Sequence, residues 1–92
     1  MLENPSEDLI DKYKLNEKNP SNIQGVIVTG VEDNSPAEEA GLQEGDIITR
    51  VGRKKIYSTK DFLSEMPKFD DESKVLFLVK RGSSSRFITI TR

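Results

Sequence analysis

Apolar and polar residues follow one another in short blocks along the chain, which predicts a small domain built from brief strands. Residues 25–32, 47–51 and 74–82 are rich in Val, Ile, Leu and Phe, as is typical of buried strands. From residue 86 to residue 92 the sequence alternates, with Phe87, Ile88 and Ile90 as its apolar positions, which indicates a last strand. The serines at 83–85 predict a hairpin turn before it.

Three other blocks have helix signals. In the first, Leu9, Ile10 and Tyr13 share a face of a helix that begins at Asn4, with Pro5 as its first residue, or alternatively at Ser6. The third helix covers residues 58–66, with either Ser58 or Thr59 as its N-cap, and Pro67 ends it. A tight turn is predicted upstream of it, at residues 52–55.

The second helix lies in the stretch DNSPAEEAGLQEGDIITRVG, residues 33–52, and is unusually short. Ser35 is a favourable N-cap, Pro36 suits the first helical position, and Glu38 completes a capping box. Gly41 can adopt the left-handed conformation that ends a helix, and Leu42 then folds back as an apolar contact. We interpret the stretch as scaffold that reverses the chain between two strands of one sheet.

The predicted order of about five short strands and two or three helices indicates a mixed α+β fold. The chain has 92 residues, which is the length of one domain. A domain this small buries only about 60% of its unfolded surface, so its folding depends on a compact core.

Composition removes several classes of function. The chain has neither cysteine nor histidine, so it can form no disulfide or thiolate metal site, and it lacks the commonest general base. Its net charge of −2 gives no basic excess for nucleic-acid binding. No apolar run is long enough to span a bilayer, and the acidic, polar N-terminus does not read as a signal peptide. We therefore predict no cofactor, no metal, no nucleic-acid partner and no membrane insertion.

The charged and hydroxyl clusters are each better explained by solvent exposure than by chemistry. The acidic residues at 70–72 have no spaced partners for metal binding and predict a solvated turn. The basic residues at 53–55 predict a hairpin or loop tip rather than a phosphate site, and the serines at 83–85 have no base to activate them. Lys80 and Arg81 are expected to be a solubilising flank of the last hairpin.

The segment SPAEEAGLQEGDII resembles the SPA-x-x-AGL-x-x-GD-x-I segment of the PDZ domains found in bacterial HtrA/Deg serine proteases. Carboxy-terminal processing and site-2 proteases share this segment. ENPSEDLIDKYKL and LVKRGSSSRFITI are similar to a helix and to the last hairpin of the HtrA modules, so the resemblance covers almost the whole chain. It implies a circularly permuted PDZ domain over residues 1–92, and the second PDZ domain of such a protease is one candidate for it. The expected fold is a small, partly open barrel or sandwich of five to six strands with two or three helices.

The resemblance implies a non-catalytic module that binds C-terminal or unfolded peptides as an added strand. The peptide-binding residues carried over by position are Met1, Leu2, Glu3 and Asn4 on the strand, and Thr59, Phe62, Leu63 and Met66 on the helix. Leu63 and Met66 predict an apolar terminal residue in the ligand. For Phe62, a place in the core is the alternative to the pocket floor.

The family's carboxylate-binding loop should stand just before this strand, so most of it is expected to lie outside the sequence. Carboxylate capture by residues 1–92 should then be weak. The resemblance implies excision from a larger protease, whose protease domain or other subunits would be partners, and a location in the bacterial envelope or on an extracellular face. A docking domain that binds no free peptide is the alternative function. An autonomous enzyme is disfavoured by the missing histidine and cysteine.

Overall fold

A computed structural model describes residues 1–69 and 73–91. Within these ranges the chain forms six strands, three α-helices and two short 3₁₀-helices, at Pro20–Asn22 and Met66–Phe69. The strands β1 to β6 are Leu2–Glu3, Val26–Val28, Ile47–Val51, Lys54–Lys55, Lys74–Arg81 and Ser84–Thr91. The helices α1 to α3 are Glu7–Tyr13, Pro36–Glu39 and Thr59–Glu65. The mixed α+β prediction is confirmed.

All strand pairs are antiparallel, and they form one open sheet. The order is β1-β2-β3-β5-β6, and the short β4 pairs with β3. The β5–β6 hairpin is the longest pairing, from Lys74 opposite Thr91 to Arg81 opposite Ser84. A register shift between Ile48 and Arg50 bends β3 where it crosses β5. In this order β1 and β6 are the outermost strands.

The strands bury one face in the main core and present the other face to α1 or to solvent. Alternate residues such as Val26, Ile48, Val75 and Val79 are buried in the main core. Ala37 and Ala40 of the α2 region, together with Phe62 and Met66, pack against that core. On the opposite face, Leu9 of α1 packs against Ile27 and Ile47 in a second, smaller cluster. The sheet therefore separates α1 from the core side.

The predicted helix caps are confirmed, with two local differences. Ser35 accepts a hydrogen bond from the Glu38 N–H at 3.2 Å, but the Glu38 carboxylate accepts from the Asn34 N–H rather than from the N–H of the cap itself. Gly41 has a φ of 93°, as its place after α2 requires. For α1 the N-cap is Ser6 and not Asn4, because the Ser6 hydroxyl accepts from the Leu9 N–H.

Several predicted boundaries shift in the structure. The second strand spans Val26–Val28, less than the predicted 25–32. It begins directly after Gly25, whose φ is 132° and whose added Cβ would lie 2.4 Å from the Ile48 carbonyl oxygen, so only glycine fits there. The basic residues 53–55 do lie at a hairpin, and the last turn falls at Gly82 and Ser83. The α3 helix ends at Glu65 and continues as a 3₁₀ turn that contains Pro67. The acidic cluster at 70–72 lies outside the described residues.

Ser58 is the N-cap of α3, and its replacement by alanine should cost stability. Its hydroxyl accepts a hydrogen bond from the Asp61 N–H at 3.3 Å. We expect Ser58→Ala to lower the free energy of unfolding by about 1 kcal/mol in urea denaturation, since an N–H of the first turn loses its partner. Ser58→Asp, an equally good cap, should retain wild-type stability. Equal losses in both variants would contradict the capping role.

Candidate functional site

The predicted ligand strand, residues 1–4, lies at one edge of the sheet. Leu2 is opposite Val28 and Glu3 is opposite Ile27 in β2. The Thr29 N–H donates to the Met1 carbonyl at 2.9 Å, and the terminal ammonium of Met1 donates to the Gly30 carbonyl at 2.7 Å, which extends the pairing. Among the described residues no strand pairs with the other edge of β1. The backbone groups on that edge are therefore available to an added strand.

The structure brings α3 next to this strand. The Asn4 side-chain oxygen accepts a hydrogen bond from the Thr59 N–H at 2.7 Å, which joins the end of β1 to the first residue of α3. The two segments are 55 residues apart in sequence. The two predicted walls of the groove are therefore neighbours, and Asn4 connects them through its side chain. Sequence reasoning placed Asn4 at this site but did not foresee that bond.

The apolar residues of α3 divide between the core and the surface. The ring of Phe62 packs edge-to-face on Phe77, with the centroids 5.9 Å apart, and Met66 also packs against the main core. Leu63 points outwards and is 70% exposed, while Met1 at the start of the chain is 82% exposed. Of the predicted residues, Phe62 therefore contributes to the core, and Leu63 and Met1 leave apolar surface accessible to a partner.

Two concave regions lie elsewhere on the molecule. One, of about 470 Å³, is lined by residues of the α1–β2 connection and of the Gln43–Ile47 turn, including Tyr13, Ile23 and Lys80. The other, of about 700 Å³, lies between the β3–β4 turn and the end of α3 and includes Arg53, Lys68 and Leu76. Neither is lined by a residue of the predicted groove. The predicted groove is described by the edge of β1 and by α3, which Asn4 connects.

A buried ion pair holds the turn after α2 against the last hairpin. The Asp46 carboxylate, almost completely buried, accepts two hydrogen bonds from the Arg81 guanidinium, at 2.7 and 2.6 Å, and a third from the Gln43 N–H. Arg81 also donates to the Gly41 carbonyl at 2.9 Å. Donating these hydrogen bonds to the Asp46 carboxylate raises the pKa of Arg81.

The expectation that Arg81 is part of a solubilising flank is therefore wrong. Arg81 and Asp46 are 35 residues apart, so no local pattern pointed to their pairing. Lys80, the neighbour of Arg81, does point outwards and is exposed. Only Asp46 had a sequence signal of burial, because it immediately precedes the apolar Ile47 and Ile48. Such a position favours burial, and burial requires a cation or several donors.

A second polar cluster lies in the loop after α1. The Glu17 carboxylate accepts hydrogen bonds from the Asn19 N–H, the Asn22 side chain and the Lys18 N–H. These bonds, with the nearby charge of Lys80 as a smaller contribution, lower the pKa of Glu17. The carboxylate organises its own loop and faces solvent, so the cluster has the features of a loop-stabilising network rather than of acid–base chemistry.

The described residues contain no group of three or more carboxylates able to hold a metal ion. Within the same ranges, no helix has the length and apolar character required to cross a membrane.

Comparison with known families and proteins agrees with this geometry. Residues 5–91 match the family PDZ_2, a PDZ domain. The chain is 32% identical over 89 residues to a probable periplasmic serine endoprotease DegP-like of Rickettsia conorii. It is 37% identical over 87 residues to the mitochondrial serine protease HTRA2 of Drosophila sechellia, and 40% identical over 73 residues to the serine protease HTRA1 of Xenopus tropicalis.

These alignments cover 95%, 91% and 78% of this chain but only 16%, 20% and 15% of the relatives. The chain thus spans a fifth or less of the length of the proteases that it matches. All three relatives, the DegP-like protein, HTRA2 and HTRA1, are serine proteases, and this chain aligns with only a short part of each.

Solved structures show the same fold. The HtrA3 PDZ domain bound to a phage-derived ligand, FGRWV, superposes with a TM-score of 0.75 at 27% identity, covering 99% of this chain and 79% of that one. The PDZ domain of an SdrC-like protein from Listeria monocytogenes has a TM-score of 0.66 at 26% identity, covering 75% of this chain and 72% of that one. The expected PDZ-like fold of five to six strands with two or three helices is confirmed, and the described residues form it as an open antiparallel sheet of six strands with three α-helices.

Proposed function

Because the chain belongs to the PDZ domain family, we propose that it binds an extended peptide as an added strand along β1, in the groove between β1 and α3. The domain corresponds to the PDZ region of HtrA and DegP serine proteases and not to their catalytic domain. The observation that carries the proposal is the edge of β1, unpaired among the described residues, which Asn4 joins to the helix α3 that bears the exposed Leu63.

Strand addition uses two kinds of contact in this groove. The outward N–H and C=O groups of β1 pair with the peptide backbone, which supplies affinity independent of sequence. Leu63 and Met66 on one wall, with Leu2 on the other, receive an apolar peptide side chain; Leu2 and Met66 both lie on the core side of the sheet. Met66 packs at the border of the main core, and its flexible thioether adapts to side chains of different shape. We therefore expect a preference for peptides that end in an apolar residue, such as the valine of FGRWV.

The matched relatives are serine proteases. In a protein of that kind, this domain would recognise exposed C-termini or unfolded segments and pass its occupancy to the protease domain or to other subunits.

A docking role without free-peptide binding is the second candidate. It is favoured by the concave regions of about 470 and 700 Å³, which lie outside the proposed peptide groove.

An NMR titration of the 92-residue chain with FGRWV tests the proposal. We expect shifts of the backbone amides of residues 2–4 and 59–66, because these line the proposed groove. The peptide FGRWD, which replaces the apolar terminal residue with a charged one, should bind roughly tenfold more weakly. No shifts with FGRWV, or shifts confined to other regions, would overturn peptide binding in favour of the docking role.

Amidation of the peptide separates strand pairing from carboxylate capture. The contacts proposed for this groove, strand pairing along β1 and apolar packing on Leu63, do not involve the terminal carboxylate of the peptide. We therefore expect FGRWV and its C-terminal amide to bind with dissociation constants within about threefold of each other. A loss of all binding on amidation would contradict this expectation and show that residues 1–92 already capture the carboxylate.

A further inference from the structure

The sheet has a second accessible apolar surface, on the face opposite to the main core. It is formed by β5 and β6, where Leu76 is 42% exposed, Leu78 is half-buried and Phe87 is 68% exposed. Leu78 lies directly opposite Phe87, and Leu76 lies opposite Thr89, so these four side chains share one face. We call the surface formed by Leu76, Leu78, Phe87 and Thr89 the outer face.

The exposure of the outer face departs from what a half-solvated sheet normally shows. Val75, Phe77 and Val79 point into the core, so the intervening positions of β5 would be expected to be polar. The helix α1 covers the same side of the sheet only where Leu9 meets Ile27 and Ile47. Towards β6 the described residues leave the apolar side chains uncovered.

Cations surround this apolar centre. On β3, Arg50 lies opposite Leu78 in the strand pairing, and on β4, Lys55 lies opposite Arg50. Lys80 and Lys74 stand on β5 two residues from Leu78 and Leu76, on the same face. Among the described positions of β3 to β6 on this face none is a carboxylate; Glu3 stands on the distant β1. Glu17 approaches Lys80 from the loop after α1, and Glu65 lines the concave region that also includes Lys74 and Leu76. This positive surface stands out because the chain as a whole has a net charge of −2.

We propose that the outer face docks an acidic, amphipathic polypeptide segment. Its apolar side chains would cover Leu76, Leu78 and Phe87, and its carboxylates would pair with Arg50 and Lys80. A second copy of this chain is disfavoured as the occupant, because two such faces would bring like charges together. The site is separate from the peptide groove, since β6 and β1 are at opposite ends of the sheet order.

Binding of a designed probe peptide tests this surface. The probe is a labelled helical peptide of about 14 residues, or four turns, with leucine on one face and glutamate elsewhere. Its twin carries lysine in place of every glutamate. In an NMR titration of the 92-residue chain we expect the glutamate peptide to shift the amides of residues 74–80 and 85–91, and binding to weaken with added salt. The lysine twin should not bind.

Variants identify the contacts. Lys80→Glu should weaken probe binding roughly fivefold and Phe87→Ser roughly tenfold. Both side chains are exposed, so the amide spectrum should show an intact fold. The matched control is Lys60→Glu, because Lys60 is an exposed lysine on α3, at the other side of the sheet. The affinity of this variant for the probe should lie within about twofold of that of wild type.

Four outcomes would overturn the proposal. The first is equal probe binding by wild type, Lys80→Glu and Phe87→Ser, and the second is a set of shifts confined to β1 and α3. The third is binding of duplex DNA or of phosphatidylserine vesicles that is tighter than binding of the glutamate peptide and that depends on Phe87. It would assign the face to those partners. The fourth is a dimer in sedimentation that Phe87→Ser dissociates, which would make a second copy the occupant.

Discussion

Replacing Arg81 with alanine should lower the free energy of unfolding by roughly 3 kcal/mol, because it leaves a charged carboxylate buried without its partner. Asp46 retains only 2% of its side-chain surface exposed and accepts two hydrogen bonds from the guanidinium. The side chain of Arg81 is 26% exposed, so solvent replaces part of what the substitution removes. We therefore expect a loss near the lower end of the range for broken buried pairs.

Urea denaturation at neutral pH, followed by circular dichroism, measures this loss. Lys80→Ala is the matched control, since Lys80 is the adjacent exposed cation of β5, and it should change stability by no more than about 0.5 kcal/mol. The loss of unfolding free energy for Arg81→Lys should fall between the losses for Arg81→Ala and Lys80→Ala. An ammonium keeps the charge but not the two parallel hydrogen bonds. If Arg81→Ala were as stable as Lys80→Ala, the pair would contribute nothing and the proposed role of Asp46 would be wrong.

A negative charge at Leu63 should reduce peptide affinity by roughly tenfold or more. In the proposed complex this side chain contacts the apolar terminal residue of the ligand. Leu63→Asp would place a charge where apolar surfaces meet, and the desolvation of that charge is costly. Because Leu63 is 70% exposed in the free domain, its replacement should leave the stability nearly unchanged.

Isothermal titration with FGRWV measures the effect of Leu63→Asp. Ser64→Asp provides the matched control: it adds the same charge on the same helix, but an exposed side chain one residue further on points about 100° away. We expect Ser64→Asp to bind the peptide within about twofold of wild type. Equal losses in both variants would show that the charge acts at long range, and no loss in either would remove Leu63 from the binding surface.

Features that depend on neighbours in sequence were predicted well. The cap at Ser35, the left-handed Gly41 and the strand Ile47–Val51 all follow from short-range rules, and the structure contains each of them. The apolar run at residues 74–82 predicted a buried strand but did not reveal that Leu76 stays exposed. Whether a face of a strand is covered depends on where other elements pack, and in this fold α1 lies over β2 and β3 instead of over β6.

Features that depend on distant pairing were decided only by the tertiary structure. Asn4 was a possible cap for α1 by local rules, yet Ser6 takes that role and Asn4 bonds to Thr59, 55 residues away. Arg81 looked like a surface cation until the fold placed it on Asp46. Local patterns along the chain thus determined which segments form helices and strands, because backbone propensity and capping act over a few residues. The meeting of β1 with α3, and the pairing of single charges, came from packing across the sheet, which no local pattern encodes.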